Sequence, residues 1–179
     1  MHQNYKKLLL LRTHGIIKDP EKMRENHGGW YYEMQELGYN YRLTDIQSSL
    51  GVSQLKRADE GLQKRKKIAD TYDKAFAGST IKIPSVAANA SHAYHLYVIQ
   101  TSKRLELYNH LKSKNIFCQV HYIPVHLQPY YRDLGFKKGD FPVSESYYDK
   151  CLSLPMYPTL TENEQAYVIN QILSFIKDI

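Results

Sequence analysis

Two short stretches of this chain hold the residues best suited to chemistry. The first runs from Gly38 to Gly51 and reads GYNYRLTDIQSSLG. It opens on a Gly-Tyr-Asn turn, where asparagine tolerates unusual backbone angles and its amide both donates and accepts hydrogen bonds. Arg42 adds a fixed cation two residues on. The second stretch, Gln119 to His126, reads QVHYIPVH and sets Gln119, His121, Tyr122 and His126 around Pro124. Gln119 and His121 are two residues apart, so on a strand they share a face. Strand ends of this kind carry ligand contacts, and a lone histidine is also a common structural residue, so both readings of His121 stay open. A metal centre is the weaker chemistry, because His121 and His126 are separated by a proline and no carboxylate completes a ligand set. His14, between Thr13 and Gly15, reads as a helix C-terminal residue facing terminal carbonyls. His92 and His95 flank Tyr94 without forming a cluster.

The elements around these stretches follow from periodicity and punctuation. Gln3 to Thr13 reads as a helix stopped by Gly15, and Ile16 to Leu37 as a loop with an aromatic cluster at Trp30, Tyr31 and Tyr32. Rings outside regular structure pack on their own chain or on another surface. Thr44 and Asp45 suit an N-cap and first turn, and Leu43, Ile46 and Leu50 follow at helical spacing, predicting a helix to about Leu55. A longer helix is expected from about Ala58 to Phe76, ended by Gly78. The character changes at about Ser79. Short strands are expected at Ile81 to Pro84, Tyr94 to Thr101, Ile116 to Tyr122 and Leu152 to Leu154. Helices are expected at Ser102 to Lys114, Val143 to Cys151 and Thr161 to Asp178, the last opened by a Thr161/Glu164 capping box.

Composition bounds the function. With 179 residues and 42% hydrophobic content the chain can bury a core. Its longest apolar run, Leu8 to Leu11, is far shorter than the roughly 20 residues of a membrane span. The N-terminus lacks the apolar stretch and cleavage site of a secretory signal, so no membrane partner and a cytoplasmic location are expected. Cys118 and Cys151 have no metal-type spacing and read as buried or free thiols. The net charge of +6 is dispersed, and the run from Lys64 to Lys67 lies in a helical stretch with Ile68, Tyr72 and Phe76, as a solvated face would. No nucleic-acid partner is expected, since no zinc, RNP-type or basic-zipper motif accompanies it.

Five motifs occur here in order: Arg12-Thr13-His14-Gly15, the Gly38 to Gly51 segment, Tyr94-His95-Leu96-Tyr97, VHYIPVHLQPYY from Val120 to Tyr131, and Ser153-Leu154-Pro155-Met156-Tyr157-Pro158 followed by Leu160-Thr161. Together they resemble the C-terminal half of the DegT/DnrJ/StrS sugar aminotransferases, over essentially the whole chain. The spacing around the first stretch and around QVHY most resembles the branch serving pseudaminic-acid-type pathways, with a UDP-linked 4-keto-6-deoxy hexosamine as acceptor.

The resemblance implies a pyridoxal 5'-phosphate enzyme of the aspartate-aminotransferase fold (fold type I), usually a homodimer, which moves an amino group from glutamate to a nucleotide-linked keto sugar. It implies an α+β architecture. Residues 1–78 would form a helical arm and junction to the family's large domain, and 79–179 a small α+β domain. It gives Asn40 as donor to the cofactor phosphate of the other subunit, and Arg42 as a buttress of that loop, a neighbour of that active site, or a partner in an internal ion pair. Gln119, His121 and Tyr122 are implied near the sugar nucleotide, with His126 beside them. No catalytic residue is expected here, because the family's Schiff-base lysine lies in a Ser-x-His-x-x-Lys segment upstream of the first motif. The chain is therefore expected to be incomplete and inactive alone. The alternatives are a non-catalytic binding or interaction module that keeps the fold, and part of a sugar dehydratase relative with histidine in place of the lysine. On this reading the apolar surface around Trp30, Tyr31 and Tyr41 promotes association or disorder.

Overall fold

The segments expected to be helical are helical, and two of the four segments expected to be strands form strands. The computed structural model describes residues 2–25 and 27–177. By their internal contacts the residues form two units, Met1–Lys56 and Arg57–Ile179.

In the first unit, α1 (His2–Leu11) is followed by β1 (Ile16–Ile17), β2 (Glu33–Met34) and α2 (Asp45–Leu55). The segment expected to be all loop contains a two-residue antiparallel ladder, with Ile16 opposite Met34 and Ile17 opposite Glu33. The turn after α1 requires glycine twice. Gly15 has φ of +68°, and a Cβ there would stand 1.8 Å from the Glu36 carbonyl oxygen. A Cβ on Gly38 would stand 2.3 Å from the Gly15 nitrogen and 2.7 Å from the Leu11 oxygen, so the two backbones touch only because both side chains are absent. His14 also takes a positive φ, and its N–H donates to the Tyr39 carbonyl rather than within the helix. Thr44 caps α2, accepting from the Gln47 N–H while the Gln47 side chain accepts from the Thr44 N–H. No residue of α2 is buried, so its apolar positions face no partner within the described residues.

The second unit opens on α3 (Ala58–Phe76) and continues through β3 (Tyr97–Gln100), α4 (Arg104–Ser113), a single 3-10 turn (Val125–Leu127), α5 (Pro129–Asp133), α6 (Pro142–Lys150), β4 (Cys151–Leu154) and α7 (Glu162–Lys177). The final helix was expected to reach Asp178, which lies outside the described residues. Its capping box forms, with Glu164 Oε2 accepting from both the N–H and the hydroxyl of Thr161. The change of character in sequence falls near Ser79, but the units meet between Lys56 and Arg57. The reason is α3: its Ile68, Ala69, Tyr72 and Phe76 are buried in the core of the second unit, so this helix is part of a packed body and not of an arm.

Around that core the chain is α+β. β3 and β4 pair antiparallel, with Tyr97 opposite Leu154 and Gln100 opposite Cys151. The strands expected near Ile81 and Val120 shorten to single antiparallel bridges, Lys82 with Gln100 and Gln119 with Ser153. Pro84 lies two residues after Lys82 and cannot donate to a ladder. All four expected segments still lie side by side, with residue 82 beside β3 and residue 119 beside β4. Tyr97, Ile99, Leu152 and Leu154 point to the face covered by α3, α4 and α7, through Leu107, Leu111, Val168 and Ile172. Each such side chain contributes about 1.5–3 kcal/mol over its exposed state. Tyr72 donates to the Pro155 carbonyl at 3.0 Å and Tyr97 to Asp73 at 2.6 Å, which satisfies both buried phenols. Burial pushes both phenols far above their ordinary range, so they are donors at any working pH.

Cys118 and Cys151 are buried free thiols, and burial raises Cys118 to about 12. Of the basic run in α3, Lys64 pairs with Glu60 at 2.6 Å and Lys67 with Glu162 at 2.7 Å. No helix among the described residues is long and apolar enough to cross a membrane.

Candidate functional site

The six candidate residues fall in three places, one in the first unit and two in the second. In the first unit the turn at Gly38 to Arg42 is sewn to the end of α1. Tyr39 N–H donates to the Leu11 carbonyl at 2.7 Å, and Tyr41 N–H donates to the Arg12 carbonyl at 2.9 Å. Thr13 and Asn40 form an isolated antiparallel bridge. The rings of Tyr39 and Tyr41 stack with centroids 5.0 Å apart, one on each side of Asn40 in sequence. Asn40 is thus held by backbone bonds on both flanks and is itself exposed.

Its amide is oriented as well. Arg42 Nη1 donates to Asn40 Oδ1 at 3.1 Å, so the carbonyl end is engaged and the NH2 end remains as the outward donor. The guanidinium stands beside it, and Arg42 forms no ion pair among the described residues. One amide donor and one cation on an exposed turn suit an anion, and a phosphate monoester is one group that matches both. The donor set therefore fits the phosphate end of pyridoxal phosphate.

In the second unit, residues 116–119 alternate in burial. Ile116 and Cys118 are buried while Phe117 and Gln119 are exposed, so Gln119 and His121 share the outer face as their spacing requires. Gln119 exchanges two backbone bonds with Ser153 of β4, at 2.8 and 3.3 Å. His121 Nδ1 lies 2.8 Å from the Ser153 hydroxyl. Tyr122 is 74% exposed, and its ring meets that of His121 edge-on at 4.7 Å. These three residues form one patch at the end of the segment.

His126 does not join them. It is buried, with Nε2 2.8 Å from Glu145 Oε1 of α6 and its ring against Phe141 at 4.7 Å. Glu145 also accepts from the Gly139 N–H at 2.8 Å and from the Phe141 N–H at 3.4 Å. These bonds, the one to His126 foremost, hold its carboxyl below the usual carboxylate range. His126 and Glu145 thus anchor the 3-10 turn and the loop before α6.

Ser153 and Glu145 were missed by sequence reasoning. The one available signal for Ser153 was a lone hydroxyl in an otherwise apolar Leu-Ser-Leu strand; Glu145, 19 residues from His126, offered none. None of the six candidates lines the cavity of about 730 Å³ between β3 and α6, which Lys82, Gln100, Tyr147 and Lys150 help to form. The patch is an open surface. Among the described residues no group of three or more His, Cys, Asp or Glu is placed to hold a metal ion.

Comparison with known proteins gives the family. The model of the DegT/DnrJ/EryC1/StrS aminotransferase family matches residues 2–173. The spore coat polysaccharide biosynthesis protein SpsC of Bacillus subtilis is 38% identical over 180 residues, which is 96% of this chain and 46% of that protein. The UDP-4-amino-4,6-dideoxy-N-acetyl-beta-L-altrosamine transaminase of Campylobacter jejuni is 33% identical, over 97% of this chain and 45% of its own length. Among solved structures, the PMP form of the sugar aminotransferase Spr1654 from Streptococcus pneumoniae, itself described as putative, superposes with a TM-score of 0.83 at 30% identity, covering 99% of this chain and 46% of that one. The chain thus spans about half the length of the curated relatives it matches, and its fold is the corresponding part of a sugar aminotransferase. By sequence along nearly its whole length and by fold, the chain belongs to the DegT/DnrJ/EryC1/StrS aminotransferase family.

Proposed function

We propose that this chain is the C-terminal portion of a pyridoxal-phosphate-dependent transaminase that transfers the amino group of glutamate to a UDP-linked 4-keto-6-deoxy hexosamine. The observation that carries this reading is the Asn40 turn, where the Gly15/Gly38 contact and the Arg42 bond leave one amide donor facing outward beside a cation. Pyridoxal phosphate, when bound, supplies the electron sink and carries the amino group between donor and acceptor. Asn40 Nδ2 donates to its phosphate from the neighbouring subunit of a homodimer, and the Arg42 guanidinium adds charge at the same anion. Gln119, His121 and Tyr122 contact the sugar nucleotide: the carboxamide and the phenol bond hydroxyl or phosphate oxygens, and the imidazole orients the ring. His126 supports that segment from beneath through Glu145. The Campylobacter relative, whose name specifies a UDP-linked 4-amino-4,6-dideoxy sugar, supports this acceptor class.

None of the 24 Lys and Arg residues of the chain stands in the family's Schiff-base motif, so on this reading the chain has no transaminase activity alone. The test extends the reading frame upstream and assays the full protein with pyridoxal phosphate, 15N-glutamate and the UDP-4-keto sugar. Mass spectrometry is expected to find 15N in the sugar product. In that protein N40A weakens cofactor affinity about tenfold, the equivalent of one charge-assisted hydrogen bond. A full-length protein that leaves the sugar unlabelled overturns the proposal.

A further inference from the structure

β4 is buried along its whole length, and Ser153 is its one hydroxyl. Strand alternation places Ser153 on the face away from Leu152 and Leu154, beside Gln119. Its backbone is spent on Gln119, donating at 2.8 Å and accepting at 3.3 Å. Its hydroxyl has a single hydrogen-bond partner among the described residues, His121 Nδ1 at 2.8 Å.

That bond has two possible directions, because a hydroxyl and a neutral imidazole nitrogen can each donate or accept. The surroundings choose between them. Ser153 is only 5% exposed, so its hydroxyl has little access to water, and a buried donor left unbonded is costly. The proton is satisfied only if Ser153 donates and Nδ1 accepts. In the neutral ring the proton then sits on Nε2, and no other hydrogen bond to the ring forms among the described residues.

We propose that Ser153 is the positioning residue of this patch: its buried hydroxyl donates to His121 Nδ1, fixes the imidazole as the Nε2–H tautomer, and so presents Nε2–H as a hydrogen-bond donor to a ligand oxygen. The identity of that ligand as a nucleotide-linked sugar rests on the function proposed above; the tautomer does not. A donor at this point selects for an acceptor, that is, a hydroxyl, keto or phosphate oxygen, and against an amino group in its protonated form. The Gln119–Ser153 bridge and the His121–Ser153 bond together tie two of the three patch residues to one buried strand. Tyr122, edge-on to the His121 ring, takes its place from that ring.

Long-range 1H–15N NMR of 15N-histidine-labelled protein at pH 8.5, with His121 assigned from the spectrum of H121Q, reads the tautomer directly. The expected result is an unprotonated, hydrogen-bonded Nδ1 and a protonated Nε2 in the wild type. In S153A the Nδ1 resonance moves toward that of a free imidazole, and in S153T, which keeps the hydroxyl, it returns. A wild-type His121 in the Nδ1–H form, or an S153A spectrum identical to the wild type at His121, overturns the proposal. In the full-length enzyme S153A is expected to raise KM for the UDP-linked keto sugar about tenfold while kcat changes less, with S153T restoring the wild-type value. A fixed tautomer in a protein that does not bind the sugar nucleotide sustains the role of Ser153 and removes the substrate reading instead.

Discussion

His121 and His126 show how one residue type can serve two ends. Both histidines of the Gln119 to His126 stretch resembled ligand contacts in sequence, yet one lies at the patch and the other is buried against a carboxylate on α6. The His126–Glu145 pair has a consequence for acid stability. The Glu145 carboxyl is held below its ordinary value by the His126 bond and by the Gly139 and Phe141 N–H groups. A depressed carboxylate adds stability that is fully present above its unfolded value, near 4.5, and is lost as the pH falls through its lower folded value. Stability against denaturant is therefore expected to fall on acidification below about pH 4.5, and E145Q to flatten that part of the profile. An E145Q profile as steep as the wild type's would count against this pairing. Tyr72 gives a second residue-scale expectation. Y72F removes the bond to the Pro155 carbonyl while keeping the ring, and should cost about 1 kcal/mol in a urea titration.

Elements with local signals followed the sequence closely. The Thr44 and Thr161 caps form as their spacing requires, and T161A is expected to lower the unfolding free energy of the second unit by about 1 kcal/mol. Strands were less legible, because a strand exists only by pairing, and the partner of each lies far along the chain. Two of the four expected strands became single bridges, at Lys82 and at Gln119. The Gly38 turn is an element in the same sense, built by contact with Gly15. G38A would push a methyl to 2.3 Å from the Gly15 nitrogen, and the overpacking should cost about 1–3 kcal/mol. Thermal unfolding checks this, and an unchanged Tm would show that the turn can give.

At the scale of the whole molecule, the first unit leaves much apolar surface uncovered. Trp30, Tyr41, Leu43, Ile46 and Leu55 are each at least 70% exposed, which is unusual for a stable free surface. Tyr31 differs: it stacks on His27 at 4.4 Å and is partly covered. A helix whose apolar positions find no partner within its own unit calls for another surface. Sedimentation equilibrium is expected to show concentration-dependent self-association, and I46K/L50K to reduce it. A monomer at every concentration would remove this expectation along with the homodimer.

The sequence by itself determined the family, the helices and their caps, and the order of the candidate residues, because each of these is written in local spacing and composition. It also placed Gln119 and His121 on one face, since strand alternation is local too. The tertiary structure decided which histidine is a ligand candidate, which serine holds it, and which glycines let the Asn40 turn touch the end of α1. It also decided that α3 belongs to the second unit. These outcomes depend on pairs of groups distant in sequence, such as Ser153 with His121 and Glu145 with His126, and no local pattern records which partner a buried hydroxyl or carboxylate will find.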